Sequence, residues 1–366
     1  MSKALRIFLA AAMVLAAVSC ERRPLVSPSE AVKIAIRVDV KTVTNVNANV
    51  RSSIHLYGTN TSLWADKLDQ LDPDMMRVLI YDPSTDKLLS QSFISSNELD
   101  SEGNKVFKGN LGISHGDYNF LVYNFDTPTT QVSYENNEMD ILAFTDEVSP
   151  AQKSRLLNYH TKGDGQVENY FEDLKIHFEP EHLLVANEKN VRISPHDTLI
   201  VVETEASTVI DTYYLQIRVN GMQYASEATA VITGLSPSNR IGLNERTIDP
   251  TAAVVFNMQK GYDESIADTN KDVLCAVFNT FGKINTVSSD LHVTFNVIDT
   301  AGNLLQYDVN MDKVFNSELA IKYHWLIIEE SVINIPDPGT NPNPDAGGGF
   351  QPRVDDWEEE QGEIAI

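Results

Sequence analysis

Basic residues are scarce in this sequence. Its 366 residues include 28 Lys and Arg against 52 Asp and Glu, so the formal net charge at neutral pH is -24. A nucleic-acid binder needs a basic surface to meet the phosphates, and anionic lipid headgroups repel an acidic surface. The charge therefore excludes a generic nucleic-acid-binding protein and argues against electrostatic docking on an anionic membrane.

Cysteine and metal-site spacings are also lacking. The two cysteines, Cys20 and Cys275, cannot form a disulfide-rich scaffold. The eight histidines show no zinc-type spacing. Pro180 lies between His177 and His182 and prevents one helical face from presenting both, so we expect these two side chains to be solvated. Cys275 lies in an apolar stretch without a neighbouring base or cation, which favours a buried, inert thiol. We expect no metal and no cofactor.

The N-terminus has the pattern of a targeting signal. The apolar run Ile7–Val18 is too short to cross a bilayer but has the length of a signal peptide. Small residues then precede Cys20, which resembles a bacterial lipobox and implies lipid attachment to that cysteine, with cleavage before it. An ordinary signal peptide with a chance cysteine is the alternative. We expect a lipoprotein signal peptide over 1–19 and a tether over 20–29.

Short strand patterns fill most of the remaining chain. Val32–Val40 alternates apolar and polar residues, as a half-buried strand does, and Met76–Tyr81 ends at an Asp-Pro turn signal. Pro150–Tyr159 is the best helix candidate, since proline suits a first turn. Further runs of the strand type are Asp117–Asp126, Leu174–Phe178, Val191–Ser194, Leu199–Val202, Tyr213–Val219, Ala228–Leu235, Ala253–Met258, Val273–Phe278, His292–Ile298, Leu304–Val309 and Trp325–Ile335.

Many short strands with few helices predict an all-β fold built of sandwiches. The strands form two blocks of similar size, so we expect two β-sandwich domains in tandem. The sequence places the N-terminal domain over residues 30–195 and the C-terminal domain over 196–335.

The C-terminus departs from this pattern. Residues 336–349 read PDPGTNPNPDAGGG, a linker with a stiff first part and a flexible end. The tail 350–366 is acidic, yet Ile364 and Ile366 are two apart, as on one face of a strand. We expect a strand-forming tail that docks on a partner; a solvated acidic tail is the alternative. The candidate partner-strand residues are Phe350, Val354, Trp357, Ile364 and Ile366.

Two segments match the start of a catalytic or a calcium-binding motif, but the residues that follow do not fit either motif. Residues 112–116 match G-x-S-x-G around Ser114, but a strand pattern follows where a hydrolase needs a helix, so we expect a hairpin turn. Residues 268–272 copy the first half of a calcium loop, but Val273 replaces the required glycine and Asn279 the bidentate glutamate. A polar turn is expected there, with a weak calcium site near Asp268 as the alternative. We expect no enzymatic activity.

Several segments together resemble the fimbrillin-like lipoproteins of Bacteroidales, a family of fimbrial shaft, tip and anchor subunits. The resemblance is one of strand and turn patterns and covers nearly all of the chain after the signal peptide. The segments are 76–83 (MRVLIYDP), 116–126 (GDYNFLVYNFD), 228–239 (ATAVITGLSPSN), 291–312 (LHVTFNVIDTAGNLLQYDVNMD) and 332–338 (VINIPDP) with 349–357 (GFQPRVDDW).

The resemblance implies transthyretin-like domains and assembly by strand exchange with other fimbrial subunits, at the surface of the outer membrane. One subunit's C-terminal strand fills a groove that proteolysis after a basic residue opens in its neighbour; Lys41 and Arg51 are candidates here. A shaft subunit would be cut and lose Cys20. An anchor would keep its lipid and first strand and would only donate. Both roles serve pilus assembly and adhesion, and both stay open.

The tail can reach a neighbour. A 14-residue linker spans at most ~46 Å, whereas a domain of ~150 residues is ~40 Å across. A docked strand would gain affinity from main-chain hydrogen bonds and fit from alternate side chains. A surface glycan-binding lipoprotein is the rival hypothesis, and its loop aromatics would be Tyr57, Trp64 and Tyr134.

Overall fold

A computed structural model describes most of the chain after the N-terminal region. The described residues are 34–44, 46, 50–58, 63–125, 127–156, 160–161, 167–168, 174–194, 196–197, 199–248, 250–284 and 291–339. The expected all-β class is confirmed. No helix in these ranges is both long enough and apolar enough to span a bilayer.

The elements in chain order are as follows. The first half contains β1 (Ile34–Val43), β2 (Ile54–Leu56), β3 (Met76–Tyr81), β4 (Leu88–Ile94), β5 (Asn97–Leu99), β6 (Lys105–Ile113), β7 (Gly116–Asn124), β8 (Gln131–Ser133), β9 (Leu142–Phe144), β10 (His160–Thr161), β11 (Val167–Glu168), β12 (Lys175–Phe178) and β13 (Leu184–Ile193). The second half contains β14 (Ile200–Thr208), β15 (Asp211–Asn220), β16 (Ala225–Leu235), β17 (Ser238–Arg240), β18 (Glu245–Arg246), β19 (Ala252–Asn257), β20 (Gln259–Asp263), β21 (Asp272–Thr280), β22 (His292–Asp299), β23 (Leu304–Asn310) and β24 (Trp325–Asn334). The helices are α1 (Ala65–Asp69), α2 (Pro150–Leu156), α3 (Asp312–Phe315) and α4 (Glu318–Tyr323), with a 3-10 turn at Met222–Tyr224.

The first sheet has eight strands in the order β4-β3-β7-β13-β14-β1-β6-β5. It folds over on itself, so that side chains from both of its ends share one apolar core, Ile94 of β4 with Phe107 of β6 among them. The backbone of Gly109 lies against the side chain of Ile94, where the two ends of the sheet approach each other. This folded sheet supplies both faces of the first sandwich.

The second sandwich is made of two five-stranded sheets, in the orders β12-β19-β16-β22-β23 and β2-β20-β21-β15-β24. Their inner faces form the largest apolar core, with Leu215, Phe256, Phe278 and Phe295 buried within it. Two edge strands, β2 and β12, come from the first half of the chain, whereas β14 joins the first sheet. The predicted domain boundary at 195/196 stays a prediction, and the sheets exchange strands across it.

A small sheet in the order β18-β17-β9-β8 joins the two halves. It covers the outer face of β3 and β7, where Leu79 and Tyr123 pack against Ile141 and Ile241. The inner face of β3 and β7 lies in the first core, so both strands are buried on two faces. That explains why their sequences read as nearly continuous apolar runs rather than as alternating ones.

The long strands predicted from the sequence are confirmed, β1, β3, β7, β15, β16, β21, β22, β23 and β24 among them, and α2 begins at the predicted Pro150. The expectation that His177 and His182 are solvated is wrong, since both are buried. His177 is part of β12, where its Nδ1 lies 2.9 Å from the Thr145 carbonyl oxygen. His182 lies in the segment that joins β12 to β13, which runs between the two halves rather than over the surface.

His182 lies at the centre of a buried polar network between the halves. Its Nδ1 lies 2.8 Å from Thr208 Oγ1 and its Nε2 3.1 Å from Thr212 Oγ1. Thr212 donates its own proton to Asn279 Oδ1 at 2.7 Å, so it accepts from Nε2–H, and Nδ1 is left as the acceptor for Thr208. Burial first, and the nearby Lys67 charge second, lower the pKa of His182 to about 4.

The burial of His182 predicts that the folded protein loses stability as the pH falls. The unfolded chain binds a proton at His182 near pH 6.5, the ordinary value, whereas the folded chain does so near pH 4. The contribution to stability is therefore lost as pH falls between these values, by about 2 kcal/mol at about pH 5 relative to about pH 7.5. Urea unfolding across this range measures it. His182→Gln should flatten the slope, whereas His115→Gln in the exposed β6–β7 turn should leave it unchanged; equal slopes in all three chains would contradict the prediction.

Candidate functional site

The first strand occupies the interior of the first sheet. β1 pairs with β14 in parallel and with β6 in antiparallel, over eight residue pairs on each side. Ile36, Val38 and Val40 are fully buried in the core. Removing this strand would therefore open a groove with two unpaired backbone edges and three empty apolar positions, and such edges bind extended segments.

Lys41, the first candidate processing residue, lies inside β1. Its backbone is paired with Val106 of β6 and Glu205 of β14. Its ammonium lies 3.0 Å from Glu102 and 3.4 Å from Asp100, and the hydrogen bond that it donates to Glu102 raises the pKa of Lys41. A protease needs an extended, unpaired backbone, so the bond after Lys41 is poorly placed for cleavage while β1 is seated.

Arg51, the second candidate, is held against the second sandwich. Its Nη1 lies 3.5 Å from Asp263 Oδ2, and its Nη2 donates to Ser265 Oγ at 2.8 Å. The guanidinium carbon lies 6.0 Å from the centre of the Trp325 ring. The backbone at Arg51 enters a turn, since the Ile54 amide donates to its carbonyl at 3.1 Å. The residue is thus fixed by its side chain more than by its backbone.

The carboxylate that meets Arg51 is buried. Burial alone would raise the pKa of Asp263, but hydrogen bonds from Ser265, Gln216 and Ser53 outweigh it and hold that pKa at about 2. Asp263 is therefore ionised at any physiological pH. A buried carboxylate needs a compensating charge, and Arg51 supplies one across 212 positions of sequence.

The segment around Arg51 is also fixed by apolar contacts. β2 pairs with β20, and the residues flanking it pack on the outer face of the second sandwich. The segment contributes Val50, Ile54, Leu56, Leu63 and Trp64, which lie against Tyr214, Cys275, Val277, Trp325 and Ile327. After β1 completes the first sandwich, the chain thus crosses to the second and completes an edge of it.

The remaining catalytic and metal candidates have structural roles. Ser114 lies in the β6–β7 hairpin turn, as expected, and its carbonyl accepts from the Tyr118 hydroxyl at 3.1 Å. In the half calcium loop, Asp268 is paired with Arg218 at 2.6 Å and Asp272 accepts from Tyr57 at 2.6 Å. Within the described ranges, no three His, Cys, Asp or Glu side chains are grouped as a metal site requires.

Cys275 is buried, as the sequence indicates. Its thiol donates to the Gln259 carbonyl at 3.7 Å, and burial raises its pKa to about 12. A thiol in this state is a poor nucleophile at neutral pH.

The remaining predicted site residues are the lipidation site, the tail residues and the loop aromatics. Cys20 and the tail residues Phe350, Val354, Trp357, Ile364 and Ile366 lie outside the described residues. Of the loop aromatics, Trp64 packs in the apolar cluster beside β2, whereas Tyr57 and Tyr134 are exposed. Sequence reasoning missed both the crossing of β2 and the Arg51–Asp263 pair. The period-two spacing of Ile54 and Leu56 in a polar stretch weakly indicates the strand β2. No local sequence pattern indicates the pairing of Arg51 with Asp263.

Comparisons with known proteins agree with this architecture. A family model described as a domain of unknown function (DUF5119) matches residues 63–257. A Bacteroides ovatus protein named "Putative fimbrium anchoring subunit Fim4B" is 22% identical over 318 residues, which are 80% of this chain and 85% of that protein. A crystal structure of a "putative adhesin" from Bacteroides ovatus covers 88% of this chain and 98% of that one, with a TM-score of 0.54 and 16% identity. The resemblance inferred from the strand motifs is thereby confirmed, and the crystal structure shows the fold.

The buried pair predicts how Arg51 responds to protease. In Asp263→Asn the guanidinium loses the charged partner that lies 3.5 Å away. Since an ion pair of this kind contributes on the order of 1 kcal/mol, trypsin should cut after Arg51 about fivefold faster. Mass spectrometry of a digestion time course measures this. Asp268→Asn, which removes only the exposed pair with Arg218, is the matched control. Cleavage after Arg77 inside β3 reports global unfolding and should stay slow; an unchanged rate at Arg51 would refute the role of Asp263.

Proposed function

The chain belongs to the family described as a domain of unknown function (DUF5119), and on that premise we propose that it is a component of a bacterial fimbrium, held at the outer membrane by lipid on Cys20. In this proposal it is of the anchoring type: it keeps its own first strand and donates its C-terminal tail to the next subunit. The observation that carries the proposal is the similarity to a fimbrium anchoring subunit over 80% of the chain.

The position of β1 supports the retention of that strand. Fully burying a Val or Ile side chain contributes about 1.5–3 kcal/mol each, and Ile36, Val38 and Val40 are all buried. The chain that follows is fixed by β2 and by the Arg51–Asp263 pair. The first strand is therefore a stable part of the subunit, and exchanging it requires an incoming strand with the same alternation of apolar side chains.

The tail supports the donor role. Ile364 and Ile366 repeat the period-two spacing with which Ile36, Val38 and Val40 fill the first core. The described chain ends at Gly339, after β24 at the edge of the second sandwich. The 27 residues beyond it are ten residues of the linker and the 17-residue tail. A neighbour that has lost its first strand would offer the groove that such a tail fills.

The anchoring role predicts the form of the mature protein. In outer membranes of the native organism, the mature N-terminus should be lipidated Cys20, and unboiled gels should show a heat-sensitive ladder containing this chain, because paired strands resist detergent. Cys20→Ser should release the chain from the membrane pellet while its domains stay folded. An N-terminus after Lys41 or Arg51, found by mass spectrometry, would instead make the chain a shaft or tip subunit. A lipidated monomer with no ladder would overturn the proposal.

The donor role predicts that one face of the tail matters. Ile364→Asp combined with Ile366→Asp should abolish the ladder, because two charges cannot enter an apolar groove unpaired. Ala365→Asp, on the opposite face of the same strand, is the matched control and should assemble. Thermal unfolding should be the same for all three chains. Equal assembly of the double variant and the control would exclude the tail as the donor.

A further inference from the structure

One cavity is built from both halves of the chain and presents an exposed aromatic ring. It encloses about 470 Å³ between the segment that joins β8 to β9 and the β17–β18 hairpin. That volume falls in the range of small-ligand sites. Its lining consists of Tyr134, Asn136, Asn137, Asp140, Leu142, Arg240 and Thr247.

Tyr134 has an unusual backbone for its residue type. Its φ is +63°, in the left-handed region, and its side chain is 68% exposed. The other non-glycine residues with positive φ in the described ranges are Asp86, Asn190, Asn244 and His324, all of types that tolerate this region. A bulky aromatic held there costs free energy, and such strain concentrates where a side chain must be presented to a ligand.

Four polar side chains of this cavity have no internal partners, whereas Asn137 accepts from the Met139 amide and Thr247 is bonded to Ser238. In the described part of the chain, no hydrogen bond or ion pair engages the side chains of Tyr134, Asn136, Asp140 or Arg240. Asp140 and Arg240 are both exposed. The cavity therefore presents an acceptor carboxylate, a donor guanidinium and an amide with both functions, all available to a ligand.

Two other cavities lack this property. Beside β2, the Tyr57 hydroxyl donates to Asp272 at 2.6 Å, so both groups are already paired. Near the end of β14, Arg246 is paired with Asp211 at 2.7 Å. These side chains are paired within the fold, whereas those of Asp140 and Arg240 are not.

The segment that carries Tyr134 is held rigidly. The Tyr81 hydroxyl donates to the Glu135 carbonyl at 2.9 Å, and the Leu88 amide donates to the Asn136 carbonyl at 3.0 Å. The buried Glu138 accepts from Asn119 at 2.7 Å and from Lys189 at 2.5 Å. A preorganised site loses little conformational entropy when it binds.

The opposite wall is fixed against this segment by a glycine. A Cβ on Gly242 would lie 1.9 Å from the Glu138 carbonyl oxygen, so only glycine allows the β17–β18 hairpin to approach so closely. The Ile241 amide also donates to the Ile141 carbonyl at 3.2 Å. The relative position of Tyr134 and Arg240 is therefore set by the junction of the two halves.

We propose that this cavity binds a saccharide. The apolar C–H face of a sugar ring would lie on the Tyr134 ring, whose electron-rich face attracts it. Asp140 would accept from one hydroxyl of a neighbouring pair, while Arg240 would donate to the other. This inference does not rest on the fimbrial proposal.

The test measures saccharide binding by the full mature chain. Arrayed mucin-type, plant and capsular oligosaccharides are screened first, and saturation-transfer NMR with the methyl glycosides of their terminal sugars follows. We expect at least one glycoside to bind, with Tyr134→Ala and Asp140→Ala each weakening it at least tenfold. Tyr134→Phe should retain most of the binding, because the ring face is kept.

Tyr57→Ala is the matched control, since it removes another exposed tyrosine beside a different cavity. It should leave the affinity unchanged, and thermal unfolding should show that every variant is folded. The absence of any bound saccharide, or equal losses in Tyr57→Ala and Tyr134→Ala, would overturn the proposal. So would capture of array-bound control peptides at the same affinity. The double substitution at Ile364 and Ile366 should leave saccharide binding intact, so failure of this proposal is distinguishable from failure of the fimbrial one.

Discussion

The double-sided burial of β3 and β7 is the constraint on which the rest of the structure depends. An apolar outer face must be covered, and here the cover consists of β9 from the first half and β17 from the second, paired with each other through Ala143 and Asn239. Because the cover belongs to both halves, the two sandwiches cannot separate without exposing this cluster to water. The junction is therefore part of the core rather than a flexible linkage.

The same junction forces polar groups into buried positions, and specific partners accommodate Glu138 and His182. Glu138 is nearly inaccessible to solvent, and it is paired with Lys189 and Asn119. His182 is neutral and is bonded at both ring nitrogens. A buried group without a partner would be costly, so these pairs also restrict how the halves can pack. The rigidity of the Tyr134 segment is a by-product of that restriction.

The sequence predicts the interior strands well and the edges poorly. β3 and β7 are recognisable because burial on two faces makes their sequences nearly continuously apolar. β1 is recognisable because its apolar and polar residues alternate, with the apolar ones on a single buried face. β4 and β5 were missed, since their residues are mostly exposed and their pattern is weak. The candidate site divides in the same way: β1 is evident in the sequence, whereas the Arg51–Asp263 pair and the cavity at Tyr134 arise only when distant segments meet. Lipidation at Cys20 and docking of the tail stay predictions.

The orientation of β1 has a mechanical consequence. A tether at Cys20 would enter the structure at the N-terminal end of this strand, so tension on the tether would act along the strand axis. The hydrogen bonds to β14 and β6 run across that axis, and eight residue pairs on each side would bear the load together in shear instead of opening one after another. A strand held from both sides in this way yields only when both ladders slip at once, which is the geometry that a load-bearing attachment requires.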